Sequence, residues 1–157
     1  MFIGLVLIQV LVLNHIQFSG FVNPYIYILF VLLLPLSSRH YTVLILGFLM
    51  GFTIDIFSNS LGVHSFATVL IAYLRPLVIR AISDREEDMS EFPGLKQNGL
   101  GWFIKYVMIM VLIHHIVLFY VEVFTFVNFL TTLIRALLSS AFSIFVIVLS
   151  QFIVFRD

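Results

Sequence analysis

GFLMGFTIDIFSNSLGVHSFATVLIAYLRPLVI, from Gly47 to Ile79, consists of two oily runs joined by a short polar turn, with an acid inside the first run and an arginine inside the second. Each run has the length of a membrane crossing, because about 20 residues rising about 1.5 Å each span a hydrocarbon core of about 30 Å. Asp55 and Arg75, with Arg135 further along, are costly in lipid and need partners or water, so they are expected to face the interior of a bundle. Gly47, Gly51 and Asp55 recur at intervals of four and share one helix face, where small residues let a neighbouring backbone approach closely.

The rest of the chain is equally oily: 62% hydrophobic residues, 10% charged residues and a mean hydropathy of +1.16 describe an integral membrane protein. At 157 residues there is room for a single transmembrane domain, 1–157, and none for a soluble catalytic domain. A net charge of +0 gives no indication of nucleic acid, and the absence of cysteine removes disulfides and thiolate chemistry. The opening MFIGLVLIQVLVL lacks a basic leader and a cleavage site, so it is expected to be a retained anchor.

About six stretches qualify as crossings: Phe2 to Phe18, Phe21 to Leu36, Tyr41 to Phe57, Val63 to Ile82, Trp102 to Phe124 and Phe129 to Phe155. The first two are short, with Asn14, His15, Gln17, Asn23 and Pro24 near their junction; they are expected to be two true spans, the alternative being a re-entrant pair. Arg39, then Arg80, Arg85, Lys96 and Lys105, then Arg156 mark every second connection as basic, which predicts cytoplasmic termini. The stretch 83–101, SDREEDMSEFPGLKQNGLG, is expected to be a cytoplasmic loop between the fourth and fifth spans, either a solvated linker or a docking surface.

Among the polar positions, Thr132, Arg135, Ser139 and Ser143 form a second stripe, on the last span. Asp55 lies roughly 7 Å below the turn near Ser60, with Ser65 and His64 at similar depth, and Arg135 is expected to pair with it; Glu122 is the competing partner, reachable by snorkelling. Arg75 lies about 15 Å deeper than Asp55, so it is read as an anchor at the opposite interface, beside a Pro76 that removes one helix donor. His114 and His115 project about 100° apart and match no zinc spacing, so no metal and no cofactor is expected. No nucleophile with a base, phosphate loop or carboxylate pair is recognisable, so no enzyme is expected.

The Gly47 to Ile79 stretch resembles the MreD family of bacterial rod-shape-determining membrane proteins in its spaced glycines, acid, Ser-rich turn with glycine, and Ala before Tyr: Gly47, Gly51, Asp55, Ser58, Gly62, Ala72 and Tyr73. The likeness is sharp over about 33 residues and elsewhere rests on size and oily composition; the chain departs from the family pattern in starting almost directly in hydrophobic sequence. The resemblance implies a non-enzymatic, multi-pass component of the bacterial inner (cytoplasmic) membrane, acting in cell elongation and lateral cell-wall peptidoglycan synthesis. It implies association with an MreC-like bitopic protein and, indirectly, with MreB, RodZ, RodA and a penicillin-binding protein. The implied fold is an all-α bundle of about six transmembrane helices, similar to the S-component fold of energy-coupling-factor transporters. The alternative reading is such an S component itself, a vitamin-binding transporter subunit; against it, the first span offers only Gly4 where a docking stripe would carry small residues in place of Ile8 and Val12.

Overall fold

The computed structural model describes residues 1–16, 22–83, 91–124 and 128–154. Gln17, the acidic run 84–88 with Arg85, and Arg156 lie outside the described residues. The described chain is all-helical: α1 Phe2–Leu11, a 3₁₀ turn Leu13–His15, α2 Leu29–Leu32, α3 His40–Ser58, α4 Val63–Ile82, α5 Leu95–Asn98, α6 Leu100–Val123 and α7 Phe129–Val154. Four of these, α3, α4, α6 and α7, are long and apolar enough to cross a membrane. α1 packs on α3, α3 on α4, α4 on α6 and α6 on α7. The end carrying the α3–α4 turn is here called upper and the opposite end lower.

The two N-terminal stretches differ from the expected pair of spanning helices. α1 has ten residues, which at about 1.5 Å each is too short for a crossing. The second stretch is mostly not helical: Asn23 to Ile26 has no regular secondary structure, α2 contributes four residues, and residues 24–32 are buried without a break. Pro24 has no N–H and disfavours helix at the residue before it, and Tyr25, Ile26, Tyr27 and Ile28 are strand-like residue types.

An irregular run inside a greasy bundle exposes peptide groups that no lipid or water can satisfy, each at a cost of several kcal/mol. Here other elements satisfy them with side chains, in an order that tracks the run from upper to lower end. The Asn23 N–H donates to Ser139 Oγ (3.0 Å) and the Tyr25 N–H to Ser143 Oγ (2.9 Å), both on α7. From α1, Gln9 accepts from the Ile26 N–H (2.8 Å) and donates to the Pro24 carbonyl (3.0 Å). Lower down, Tyr106 of α6 donates to the Leu32 carbonyl (3.2 Å), and Arg75 of α4 donates through Nη2 to the Leu34 carbonyl. Last, the Leu36 N–H donates to the Glu91 carbonyl (2.8 Å). Residues 22–36 therefore run the length of the bundle, touching α1, α4, α6 and α7.

One sequence expectation changes accordingly. Arg75 is not a headgroup anchor reaching outward: it is 4% exposed, fixed by the Leu34 carbonyl and by Tyr106 Oη, to which its Nε donates (3.2 Å). Ser139 and Ser143 of the α7 stripe accept from main-chain donors, and Ser143 also pairs with His115 Nε2. Within the expected loop 83–101, the described part is folded: α5 forms one turn, and Asn98 Nδ2 donates to the Phe92 carbonyl (3.0 Å).

Ser143→Ala should leave the Tyr25 N–H without an acceptor and destabilise the protein by about 1–3 kcal/mol. Ser150→Ala, which removes only a bond to Ile147 of its own helix, should stay within about 0.5 kcal/mol. Reversible unfolding in mixed micelles measures both, and equal effects would contradict the role given to Ser143.

Candidate functional site

The upper end is organised around Asp55, in the last turn of α3. Asn59 stops α3 in the left-handed conformation (φ 51°) and Gly62 follows with φ 84°, a geometry that glycine adopts without strain. The chain thereby doubles back, bringing the start of α4 over the α3 face that carries Gly47, Gly51 and Asp55. The approach is close: a Cβ on Gly51 would lie 2.5 Å from Ser65 Cα and 2.7 Å from the His64 carbonyl oxygen, and one on Gly47 would lie 3.1 Å from Ala72 Cβ.

That closeness delivers the Asp55 carboxylate to the first turn of α4, whose own cap, Gly62, has no side chain to offer. Oδ1 accepts from Ser60 Oγ (2.6 Å) and the His64 N–H (3.0 Å), and Oδ2 from the Ser65 N–H (2.8 Å) and Ser65 Oγ (2.5 Å). His64 Nδ1, in the tautomer that carries its proton there, also donates to Oδ1 (3.0 Å). Asp55 thus acts as the N-cap of a helix other than its own, taking the N–H groups of the second and third residues of α4 and setting a negative charge at its positive end. Asp55 is 4% exposed, and its nearest charged or chargeable neighbour is His64.

Asp55 and Arg135 do not pair. Arg135 Nη1 lies 3.6 Å from Glu122 Oε2, so the competing partner holds it, and the guanidinium sits 4.5 Å from the centre of the Phe119 ring. With its amide oxygen turned toward the guanidinium, Asn23 accepts from Arg135 Nη2 (2.9 Å). The physical reason is saturation: five donors from the α3–α4 turn and α4 already surround the Asp55 carboxylate. Of the residues singled out from sequence, Gly47, Gly51, Asp55 and His64 meet at one site, Arg135 lies with Glu122 between α6 and α7, and Arg75 lies at the lower end.

Beside Asp55 is a cavity of about 410 Å³ whose polar wall includes Asn14, Asn23, Tyr25, Ser60, His64 and Glu122. Beneath it an aromatic and imidazole cluster continues inward. Tyr25 stacks edge-on to His64 (5.4 Å between ring centres), Tyr27 Oη pairs with His114 Nε2 (2.8 Å), and His115 Nε2 pairs with Ser143 Oγ (3.0 Å). Among the described residues no group of three His, Asp or Glu side chains is placed to hold a metal ion.

Gln9, Tyr25 and Tyr27 near this site, and Tyr106 beside Arg75 at the lower end, are not singled out by the sequence reading. Gln9 had a usable signal, as a lone amide in an otherwise apolar run that must find partners if it enters the membrane; it is 0% exposed. Compared with protein-family models, with curated proteins and with solved structures, the chain matches none.

Asp55→Ala should strand five donors and cost about 3–5 kcal/mol of stability, with Gly51→Ala also strongly destabilising and Gly4→Ala, whose added methyl meets nothing within 4 Å, close to neutral. A double-mutant cycle of Asp55→Ala with Arg135→Gln should be additive within about 0.5 kcal/mol; coupling well above that would restore the direct pair.

Proposed function

We propose that this chain is an MreD-type, non-enzymatic component of the bacterial cell-elongation machinery, resident in the inner membrane and required for rod shape through association with an MreC-like bitopic protein. The observation that carries this reading is the use made of the residues bearing the resemblance. Gly47, Gly51 and Asp55 are engaged in locking α3 to α4, which suits a rigid platform for other membrane helices better than a carrier needing an exchangeable carboxylate. MreB, RodZ, RodA and a penicillin-binding protein are reached indirectly, through the MreC-like partner.

In this reading the chain makes about six passages: the four long helices, the broken run 22–36, and a first passage in which α1, too short to cross alone, is continued by the 3₁₀ turn Leu13–His15. An even number agrees with the alternation of basic connections and sets both termini and the lower end in the cytoplasm. The outward faces of α3 and α4, with exposed Phe48, Phe52, Ile56 and Phe66, supply apolar surface of the kind a single-span partner packs against in lipid.

A second reading, a ligand-binding S component of an energy-coupling-factor transporter, is favoured by the upper cavity. Its volume and its convergent polar and aromatic wall are those of a small-molecule site.

Depletion in a rod-shaped host separates the two. Rounded cells, with an MreC-like bitopic protein co-purifying from the membrane, are the expected result. Normal shape with loss of uptake of one vitamin would overturn the morphogenesis reading in favour of the second.

A further inference from the structure

A second cavity, of about 440 Å³, opens at the lower end where the run 22–36 hands over to α3, and it is chemically unlike the upper one. Its wall brings together Arg75 and Arg80 of α4, His40 at the start of α3, the hydroxyls of Ser37 and Ser38, and, among the described residues, one acid, Glu91. The volume falls in the roughly 300–1,000 Å³ range of small-molecule sites.

Arg75 is the decisive group. It is 4% exposed, and its Nε and Nη2 are held by Tyr106 and the Leu34 carbonyl, which aims the guanidinium at the cavity wall. Its Nη1 has no hydrogen-bond partner among the described residues. A guanidinium buried to that degree, held at two nitrogens and with donors left over, has the geometry to receive an anion. α3 adds to it: the helix of 19 residues begins at His40, beside the cavity, and Arg39 offers no side-chain cap to its first N–H groups.

The surroundings indicate how that anion is carried. His40 stacks edge-on to Tyr73 (5.7 Å between ring centres), and from there an exposed apolar strip rises along both helices, Tyr41 and Ile45 on α3, Leu77 and Tyr73 on α4. Hydrocarbon chains attached to the anion would lie on that strip at the depth of the bilayer. We propose that the lower cavity seats a phosphate group, with Arg75, His40 and the serine hydroxyls as its donors, and that the phosphate belongs to the headgroup of an anionic phospholipid. A soluble phosphate shares the chemistry of the headgroup but would leave the apolar strip unused.

The test uses the full chain released from detergent in native mass spectrometry, with dioleoyl phosphatidylglycerol and phosphate-free dioleoylglycerol as paired probes. One phosphatidylglycerol per chain should be retained and dioleoylglycerol should not. Ser37→Glu, at an exposed position whose side chain makes no hydrogen bond among the described residues, should weaken retention at least about tenfold by setting a like charge at the mouth. It keeps the test sharp because Arg75→Gln also removes a bond to the Leu34 carbonyl and so weakens the fold. Millimolar inorganic phosphate should fail to displace the lipid; displacement would keep the phosphate site but overturn the lipid source. Equal retention of both probes, or no effect of Ser37→Glu, would overturn the proposal.

Discussion

The peptide groups of residues 22–36 govern this structure. A run that is helical only over the single turn of α2 lies in the middle of an oily bundle, and each of its remaining donors and acceptors must find a partner where neither lipid nor water provides one. The polar side chains of the neighbouring elements are distributed as that requirement demands. Gln9, Ser143, Ser139, Tyr106 and Arg75 come from α1, α7, α6 and α4, and each meets a particular main-chain group of the run. The long helices are straightforward consequences of hydropathy; their rotation about their own axes is fixed by these bonds.

Asp55 answers a related need at the upper end. α4 starts after a glycine, so its first N–H groups have no local acceptor, and the carboxylate of α3 supplies one from across the hairpin. The glycines of α3 are what allow it, since any side chain at position 51 would meet the α4 backbone. Small residues and acid thus form one device: contact distance first, then capping. The same logic explains why Arg135 is left to Glu122, Asn23 and the Phe119 ring.

Hydropathy made the all-helical membrane class and the four long helices legible, because a crossing needs length and oil and little else. The face shared by Gly47, Gly51 and Asp55 was legible too, since helical periodicity alone puts them together. The stretch Phe21 to Leu36 reads as a spanning helix for a physical reason: hydropathy measures side chains, and FVNPYIYILFVLLLPL is oily enough whatever its backbone does. Pro24 and Pro35 bracket it, and the Tyr-Ile-Tyr-Ile alternation inside it is a strand pattern that length arguments overrode. The Asp55–Arg135 pairing failed differently. Depth was estimated from residue counts, but depth says nothing about azimuth or about how many nearer donors a carboxylate already has.

The long sequence separations in the central hydrogen bonds bear on biogenesis. Asn23 is bonded to a serine 116 positions later and Tyr25 to one 118 positions later. A chain made from its amino end releases residues 22–36 well before α6 or α7 exists, so the run begins life among lipids and insertion machinery without its eventual partners. Until the carboxyl-terminal helices arrive it must satisfy its own peptide groups, for which a transient helix is the only local solution. Its bonds to Ser139 and Ser143 can therefore form only after the last helix has been made, so this early stretch reaches its native path late.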